Sequence, residues 1–297
     1  MSSAFRSSVQ EPVSVLLPAF NAERYISDAI QSILQQTHSN FELVVVDDGS
    51  SDRTGAIVEA YCAKDSRVRL IQKENGGIVS ALNRGLLECS HDLVARMDAD
   101  DLAHPDRLRR QVERMQLDMT IIACGTSVEL FGSRTGDITY PKGDRDCRRM
   151  LLLYPCFAHP SVVFRRSLFP TPVTYRTEYE YAEDYELWTR AALFGKLCNL
   201  TEPLLRYRTH PDQTSTTRRK LQISRHAEIA ARQFSSNSRP LDPQLIDSLL
   251  SPGTGRQLRL MRVARLLQAS YMNKARLRPR LMDVMRLARP IFARGEA

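Results

Sequence analysis

The sequence predicts an α/β fold built on a mostly parallel central sheet with flanking helices, followed by an all-helical basic extension. Three observations carry this. The first 100 residues alternate short apolar runs with amphipathic ones in the order β-α-β-α-β-α-β. The strand candidates are unbroken apolar runs, as in sheets covered on both faces. Charge also divides: residues 1–215 hold 25 Lys and Arg against 29 Asp and Glu, a net of −4, whereas residues 216–297 hold 17 against 5, a net of +12. The expected division is therefore a body over 1–215 and an extension over 216–297.

Each element has its own signal. Val13–Leu17 is β-branched and leucine-rich, and Pro18 is expected to end it. Ala22–Gln35 places Ala22, Tyr25, Ile26, Ala29, Ile30, Ile33 and Leu34 at helical spacing. Phe41–Val46 is a second apolar run, and Asp52–Ala63 a helix with Ser51 or Asp52 as its cap. Val68–Ile71, helix Gly77–Leu87 and Asp92–Ala95 complete the alternation. Pro105–Leu117 then reads as a helix and Ile121–Phe131 as a strand. The regular alternation ends there, with a strand at Ser161–Phe164, a helix at Ala182–Phe194 and an extended Leu197–Arg206. In the extension, Leu221–Phe234, Asp242–Leu250, Gln257–Met272 and Leu281–Ile291 read as helices, separated by polar breaks containing Pro or Gly.

Several classes drop out. No run of about 18 apolar residues exists to span a membrane, and Met1–Glu11 is too polar for a secretory signal. The six cysteines, Cys62, Cys89, Cys124, Cys147, Cys156 and Cys198, form no Cys-x-x-Cys pair and read as reduced thiols in a cytosolic chain. The segment after the first strand is Pro18-Ala19-Phe20-Asn21, not Gly-x-Gly-x-x-Gly, and no P-loop occurs.

In open α/β sheets ligands bind beyond the carboxyl ends of the strands. Those ends carry Pro18–Asn21, Asp47-Asp48-Gly49-Ser50, Lys73-Glu74-Asn75-Gly76-Gly77 and Asp98-Ala99-Asp100-Asp101. Carboxylates accept hydrogen bonds from ribose hydroxyls or a base imide, and glycines admit a ligand close to the backbone. Asp98 and Asp100 project to one side of an extended segment. Together they suit a hard divalent ion, Mn²⁺ or Mg²⁺. Taken alone, the same residues also read as a solvated acidic turn before the next helix. The Glu183-Asp184 pair, at a helix start, suits either the helix dipole or proton abstraction.

Val13–Asn21, Val44–Ser50, Asn75–Gly77 with Ala81–Gly85, and Met97–Asp101 together resemble family 2 glycosyltransferases, bacterial inverting enzymes of the GT-A fold that use nucleotide sugars and a metal. Ala158–Arg165, Ala182–Trp188 and Leu204–Ser215 extend the resemblance, which runs collinearly over about residues 11–215. It implies that Pro18, Phe20 and Glu23 wrap the nucleobase, that Asp47 or Asp48 binds it, and that Asn75 belongs to the nucleotide site. It implies further that Asp98 binds the ribose and Asp100 the metal, with His210 as a second metal or diphosphate ligand and Asp184 as general base. Glu183, Trp188 and Arg208 are candidates for acceptor or diphosphate contact.

The implied activity is sugar transfer from a nucleotide sugar, UDP by default, to a saccharide or lipid-linked saccharide in cell-surface polysaccharide synthesis. A hydrolase or nucleotidyltransferase using the same carboxylates is the enzymatic alternative. The extension interleaves Arg256, Arg259 and Arg262 with Leu258, Met261, Leu266 and Leu267. It suits docking on the anionic inner face of the membrane by a cytoplasmic protein, or packing on the acidic body. A nucleic-acid partner is not expected, because aromatic interleaving is limited to Phe234, Tyr271 and Phe292.

Overall fold

The computed structural model describes residues 10–211, 213 and 218–235. Nine strands form one sheet: β1 (Val13–Ala19), β2 (Phe41–Asp47), β3 (Val68–Gln72), β4 (Leu93–Arg96), β5 (Leu102–Ala103), β6 (Ile121–Gly132), β7 (Gly136–Ile138), β8 (Val163–Arg165) and β9 (Lys196–Thr209). The helices are α1 (Ile26–Leu34), α2 (Thr54–Cys62), α3 (Gly77–Glu88), α4 (Arg107–Gln116), α5 (Asp144–Met150), α6 (Glu183–Ala191) and α7 (Arg219–Ser235). Strand order is β3-β2-β1-β4-β8-β6-β9-β5, with β7 beside β6. β1, β2, β3, β4, β6 and β9 run one way, and β5, β7 and β8 the other. The α/β class and the mostly parallel sheet hold.

Alternation along the central strands sends side chains to opposite faces. Leu16, Val44 and Val46 join a core under α3, α5 and α6. Val13, Val15, Leu17, Leu43 and Val45 join another under α1, α2 and α4. Both faces are therefore dry, which is why the strands read as unbroken apolar runs. Gly85 lets α3 lie unusually close to the sheet: a Cβ there would collide with Leu16 Cδ1 and lie 2.9 Å from Val46 Cγ2.

The structure differs from the sequence reading at a few points. β1 continues through Pro18 to Ala19. It pairs with β4 only over Val13–Leu16, so the edge facing β4 is already open at Pro18 and its missing N–H costs no ladder bond there. α2 begins at Thr54 rather than Asp52, but Asp52 Oδ1 does accept the Thr54 N–H at 2.9 Å. β5 and β7, of two and three residues, and the strongly charged α5 have too little pattern to read.

The long strands build the region above the sheet. β9 uses Leu200–Leu205 where β6 uses Thr126–Val128, an irregularity that bends and twists the pair. β5 follows β4 after the short linker 97–101 and pairs with Leu205 and Arg206 of β9. That linker, which holds the acidic triplet, is thereby carried across to the far end of β9.

Of the expected extension, α7 matches Leu221–Phe234; the helices expected at Asp242–Leu250, Gln257–Met272 and Leu281–Ile291 lie outside the described residues. Among the described residues no helix is long and apolar enough to cross a membrane. All six cysteines are free thiols.

Candidate active site

Four loops gather at the carboxyl ends of β1 to β4. After β1, Phe20 is 52 % exposed, an apolar ring left facing solvent at the rim. Asn21 adopts the left-handed region (φ 48°), and its Oδ1 accepts the Ser51 N–H at 2.9 Å, which ties this loop to the one after β2. Glu23 spends its carboxylate on the Arg53 side chain at the surface, 3.2 Å away. Asp47 and Asp48 are both buried, at 4 % exposure. Asp47 Oδ1 accepts the Ser50 N–H at 3.0 Å. Asp48 accepts the N–H groups of Gly76 (3.1 Å) and Gly77 (2.8 Å) and pairs with Lys73. Asn75 Nδ2 donates to the Asp48 carbonyl at 3.0 Å. Gly49 is needed at this junction: its φ is +76°, and a Cβ would lie 2.7 Å from Asn75 N.

The acidic triplet forms a corner. Asp98, Asp100 and Asp101 each offer an oxygen within 4.8 Å of the others. His210 Nε2 lies 3.1 Å from Asp100 Oδ2, while its Nδ1 is buried without a hydrogen-bond partner. Asp98 forms an ion pair with Arg96, whose guanidinium is buried at the end of β4. Arg107, also buried, donates to the Arg96 carbonyl at 2.6 Å. Burial first, then the Asp98 charge, raises the Asp100 carboxyl above its ordinary value. Burial, with the charges of Asp98 and Asp100 added, raises Asp101 well above its own. Three crowded carboxyls are thus accommodated beside two buried guanidinium groups, Arg96 and Arg107. An all-oxygen donor set with an adjacent imidazole fits Mn²⁺ or Mg²⁺. Asp98, Asp100 and Asp101 lie close enough together to hold such an ion, and His210 stands beside Asp100.

Arg208 braces this corner. Its N–H donates to Asp101 Oδ1 at 2.8 Å and its Nε to the Asp100 carbonyl at 2.8 Å. The guanidinium is sandwiched between the Tyr25 and Phe131 rings, 4.6 and 4.4 Å from their centroids. Arg208, expected as a diphosphate or acceptor contact, also ties the Asp100 loop and stacks between the two rings.

Across the corner lie the carboxylates that open α6. Glu183 is buried and its Oε2 has no hydrogen-bond partner. Asp184 is half-buried, and its Oδ1 accepts the Tyr185 N–H at 2.7 Å. Burial, reinforced by the Asp184 charge, pushes the Glu183 carboxyl up to about 8. Burial likewise pushes Asp184 up to about 6, against the Tyr185 hydrogen bond and the Arg96 charge. The Asp98 charge adds to this rise, so the corner and the α6 pair share one electrostatic environment. At neutral pH Asp184 is ionised and partly open to solvent, whereas Glu183 is mostly protonated and enclosed.

Trp188 corrects an expectation. It is 0 % exposed, edge-on to Phe157 and Phe164 at 5.3 and 6.0 Å, so no ring face is free for a sugar. α6 turns this face into the core shared with Phe157, Phe164 and Tyr185. Arg96 and the Tyr25–Phe131 sandwich went unread in the sequence. Arg96 stands directly before Met97–Asp101, and a lone charge ending an apolar strand beside an acidic triplet was the signal available.

The family model for Glycosyl transferase family 2 matches residues 14–169. The O-antigen biosynthesis glycosyltransferase WbnJ of Escherichia coli is 30% identical over 237 residues, covering 76% of this chain and 90% of that protein. The fold is similar to S. aureus TarS 1-349 in complex with UDP-GlcNAc (TM-score 0.63, 20% identity, 92% of this chain and 79% of that one). It is also similar to the mannosyltransferase PcManGT from Pyrobaculum calidifontis in complex with GDP-Man and Mn²⁺ (TM-score 0.60, 20% identity, 97% and 85%).

Proposed function

The chain belongs to glycosyl transferase family 2, and from that premise we propose that it moves a sugar from a nucleotide-diphosphate sugar, by default a UDP-sugar, to a saccharide or lipid-linked saccharide with inversion, in the synthesis of a surface polysaccharide. The observation that carries this reading is a half-buried carboxylate, Asp184, that feels the charges of Arg96 and Asp98 in an oxygen-rich corner completed by Asp100 and Asp101.

In this reading Phe20 offers its ring to the base, and Pro18, Glu23, Asn75 and Asp47 or Asp48 shape the nucleotide pocket. Asp98 binds the ribose. Asp100 with His210 would hold a divalent ion, whose charge offsets that developing on the leaving diphosphate. Asp184 takes the proton from the attacking acceptor hydroxyl, and Glu183, being protonated, adds no second negative charge against the incoming group. WbnJ acts in O-antigen biosynthesis by its name, and TarS and PcManGT hold UDP-GlcNAc and GDP-Man by theirs; these support the donor class and the polymer context.

Thermal unfolding against a panel of UDP-, GDP- and dTDP-sugars tests the donor. A matching donor at about 100-fold over its Kd raises Tm by roughly 5 °C or more in Mn²⁺ and by far less in excess chelator. A chain that no member stabilises is not a nucleotide-sugar enzyme. Incubation with the selected donor then separates transfer or hydrolysis, which release nucleoside diphosphate, from nucleotidyl transfer, which releases sugar 1-phosphate.

The basic segment 216–297 supports a second part of the reading, a cytoplasmic enzyme docked on an anionic membrane face beside a lipid-linked acceptor. Residues 236–297 alone hold 12 Lys and Arg against 4 Asp and Glu. At about 1 kcal/mol per cation near such a surface, the protein should float with vesicles containing anionic lipid at low salt and not with neutral ones. Absence of flotation in both removes the membrane from the proposal.

A further inference from the structure

We propose that α7, the first helix of the basic segment, is a working part of the catalytic domain: it holds the Tyr179–Tyr185 segment that carries Glu183 and Asp184, and His226 is the positioning residue. This rests on reading Asp184 as the base.

The segment needs holding. Tyr181 sits at φ 72°, a left-handed conformation that is strained for a bulky side chain and persists only where the surroundings enforce it. Glu183 is buried with an unpartnered oxygen beside the Asp184 carboxylate. Within the segment the Ala182 N–H donates to the Tyr179 carbonyl (2.8 Å), and toward the body the Tyr185 hydroxyl donates to the Leu151 carbonyl (2.8 Å).

The opposite side is supplied by α7. His226, Ala227, Ile229, Ala230 and Ala231 form its buried face, and Ile229 joins the same core as Tyr185 and Trp188. Three of its residues, or their neighbours, meet the three aromatic rings that bracket the carboxylate pair. The Arg232 guanidinium lies over Tyr179 at 5.0 Å, fixed by Glu228 one turn earlier at 3.2 Å. Arg218, just before the helix, lies over Tyr181 at 5.9 Å. The His226 ring is wedged edge-on between Tyr185 (5.2 Å) and Tyr154 (5.4 Å). The three contacts are spread along the segment from residue 218 to residue 232, so they hold the aromatic rings at separate points. His226 serves as a ring rather than as a charge: its Nε2 has no hydrogen-bond partner, and burial lowers its pKa to about 4. Tyr185 adjoins Asp184 in sequence, so displacing its ring displaces the base. The boundary between the catalytic body and the basic segment then falls after α7, not at residue 216.

The test uses the full-length chain with His226→Ala, His226→Phe, Arg232→Gln and, as a control on the exposed side of α7, Ser224→Ala. The readouts are amide exchange and the release of nucleoside diphosphate from the selected donor in Mn²⁺, with water as acceptor. In His226→Ala, exchange of the 182–185 amides should rise at least about tenfold while the Gly76 and Gly77 amides keep their rates. Turnover should fall about 10- to 100-fold with donor KM within about twofold, since small displacements of a reacting group carry losses of this size. His226→Phe should restore both, and Ser224→Ala should change neither. Arg232→Gln, which opens no cavity, should loosen the same amides and decides the matter if His226→Ala does not fold. Unchanged 182–185 exchange in both variants, or KM rising in step with the loss of turnover, overturns the proposal. Asp184→Asn separates the two readings. If it retains turnover, the base assignment fails; if it is inactive while His226→Ala matches wild type, only the role of α7 fails.

Discussion

Asp184→Asn should fold, bind donor with wild-type affinity in Mn²⁺, and turn over on the order of 10²–10⁴-fold more slowly, the usual contribution of a positioned general base. The amide keeps the shape and can still accept the Tyr185 N–H, which now spans 2.7 Å. Only the proton affinity is lost. Near-wild-type turnover in this variant would sink the assignment. The pH profile gives a second reading of the same group. Because burial holds Asp184 at about 6, turnover should rise with pH through that value and level off above it. Stability should move the other way. Glu183 and Asp184 both have folded-state pKa values above their unfolded ones, so the folded protein holds more protons between about 4 and 8. Their contribution to stability is therefore complete below that window and declines as pH rises through it. Turnover that rises through pH 6 while the stability of wild type relative to Asp184→Asn falls over the same range is the expected pattern. Turnover independent of pH across 6 would contradict it.

Asp100→Ala should abolish the Mn²⁺-dependent part of donor binding while leaving the ligand-free protein at least as stable as wild type. Asp100 is crowded by Asp98, and its carboxyl is raised by burial and by that charge. Removing it relieves repulsion, and the partner left behind, His210, is an imidazole that carries no obligatory charge. Asp98→Ala, two residues away, should behave differently. It leaves the buried Arg96 guanidinium without its ion pair, a change that costs about 3–5 kcal/mol. Melting curves of the two variants with and without Mn²⁺ distinguish these outcomes. A donor shift in Asp100→Ala that still requires Mn²⁺ would remove Asp100 from the metal site.

What the sequence disclosed follows from where its signals are dense. The first four strands and their helices repeat one pattern, and both faces of the sheet are covered, so hydrophobicity alone locates them. The acidic corner was legible because Asp98, Asp100 and Asp101 fall together in one short run at a strand end, and the structure keeps them clustered. Trp188 was not legible: whether a helix residue faces the core or the cleft depends on how α6 is rotated against Phe157 and Phe164, and neither ring is near it in sequence. The bracing role of Arg208 was hidden for the converse reason. Its partners, Asp100, Asp101, Tyr25 and Phe131, come from three distant segments. The ends of β2 and β3 were correctly grouped, but the direction in which Asp48 turns, inward to Gly76 and Gly77, is set by a backbone pairing that only the folded chain displays.

The bend in β6 and β9 has a consequence for the order of assembly. Asp101 is received by the Arg208 N–H, 107 residues further along the chain, and Asp100 by His210, 110 residues further. Neither pairing can form before the last strand has been added to the sheet. Contacts so distant carry a loop-closure cost that is met late in folding. Until then three acidic groups have no counterpart on that side. A ligand that bridges the corner engages the finished chain and not its precursors, and so draws the equilibrium toward completion by mass action. Donor supply would then govern how long each molecule stays assembled, as well as how fast it works.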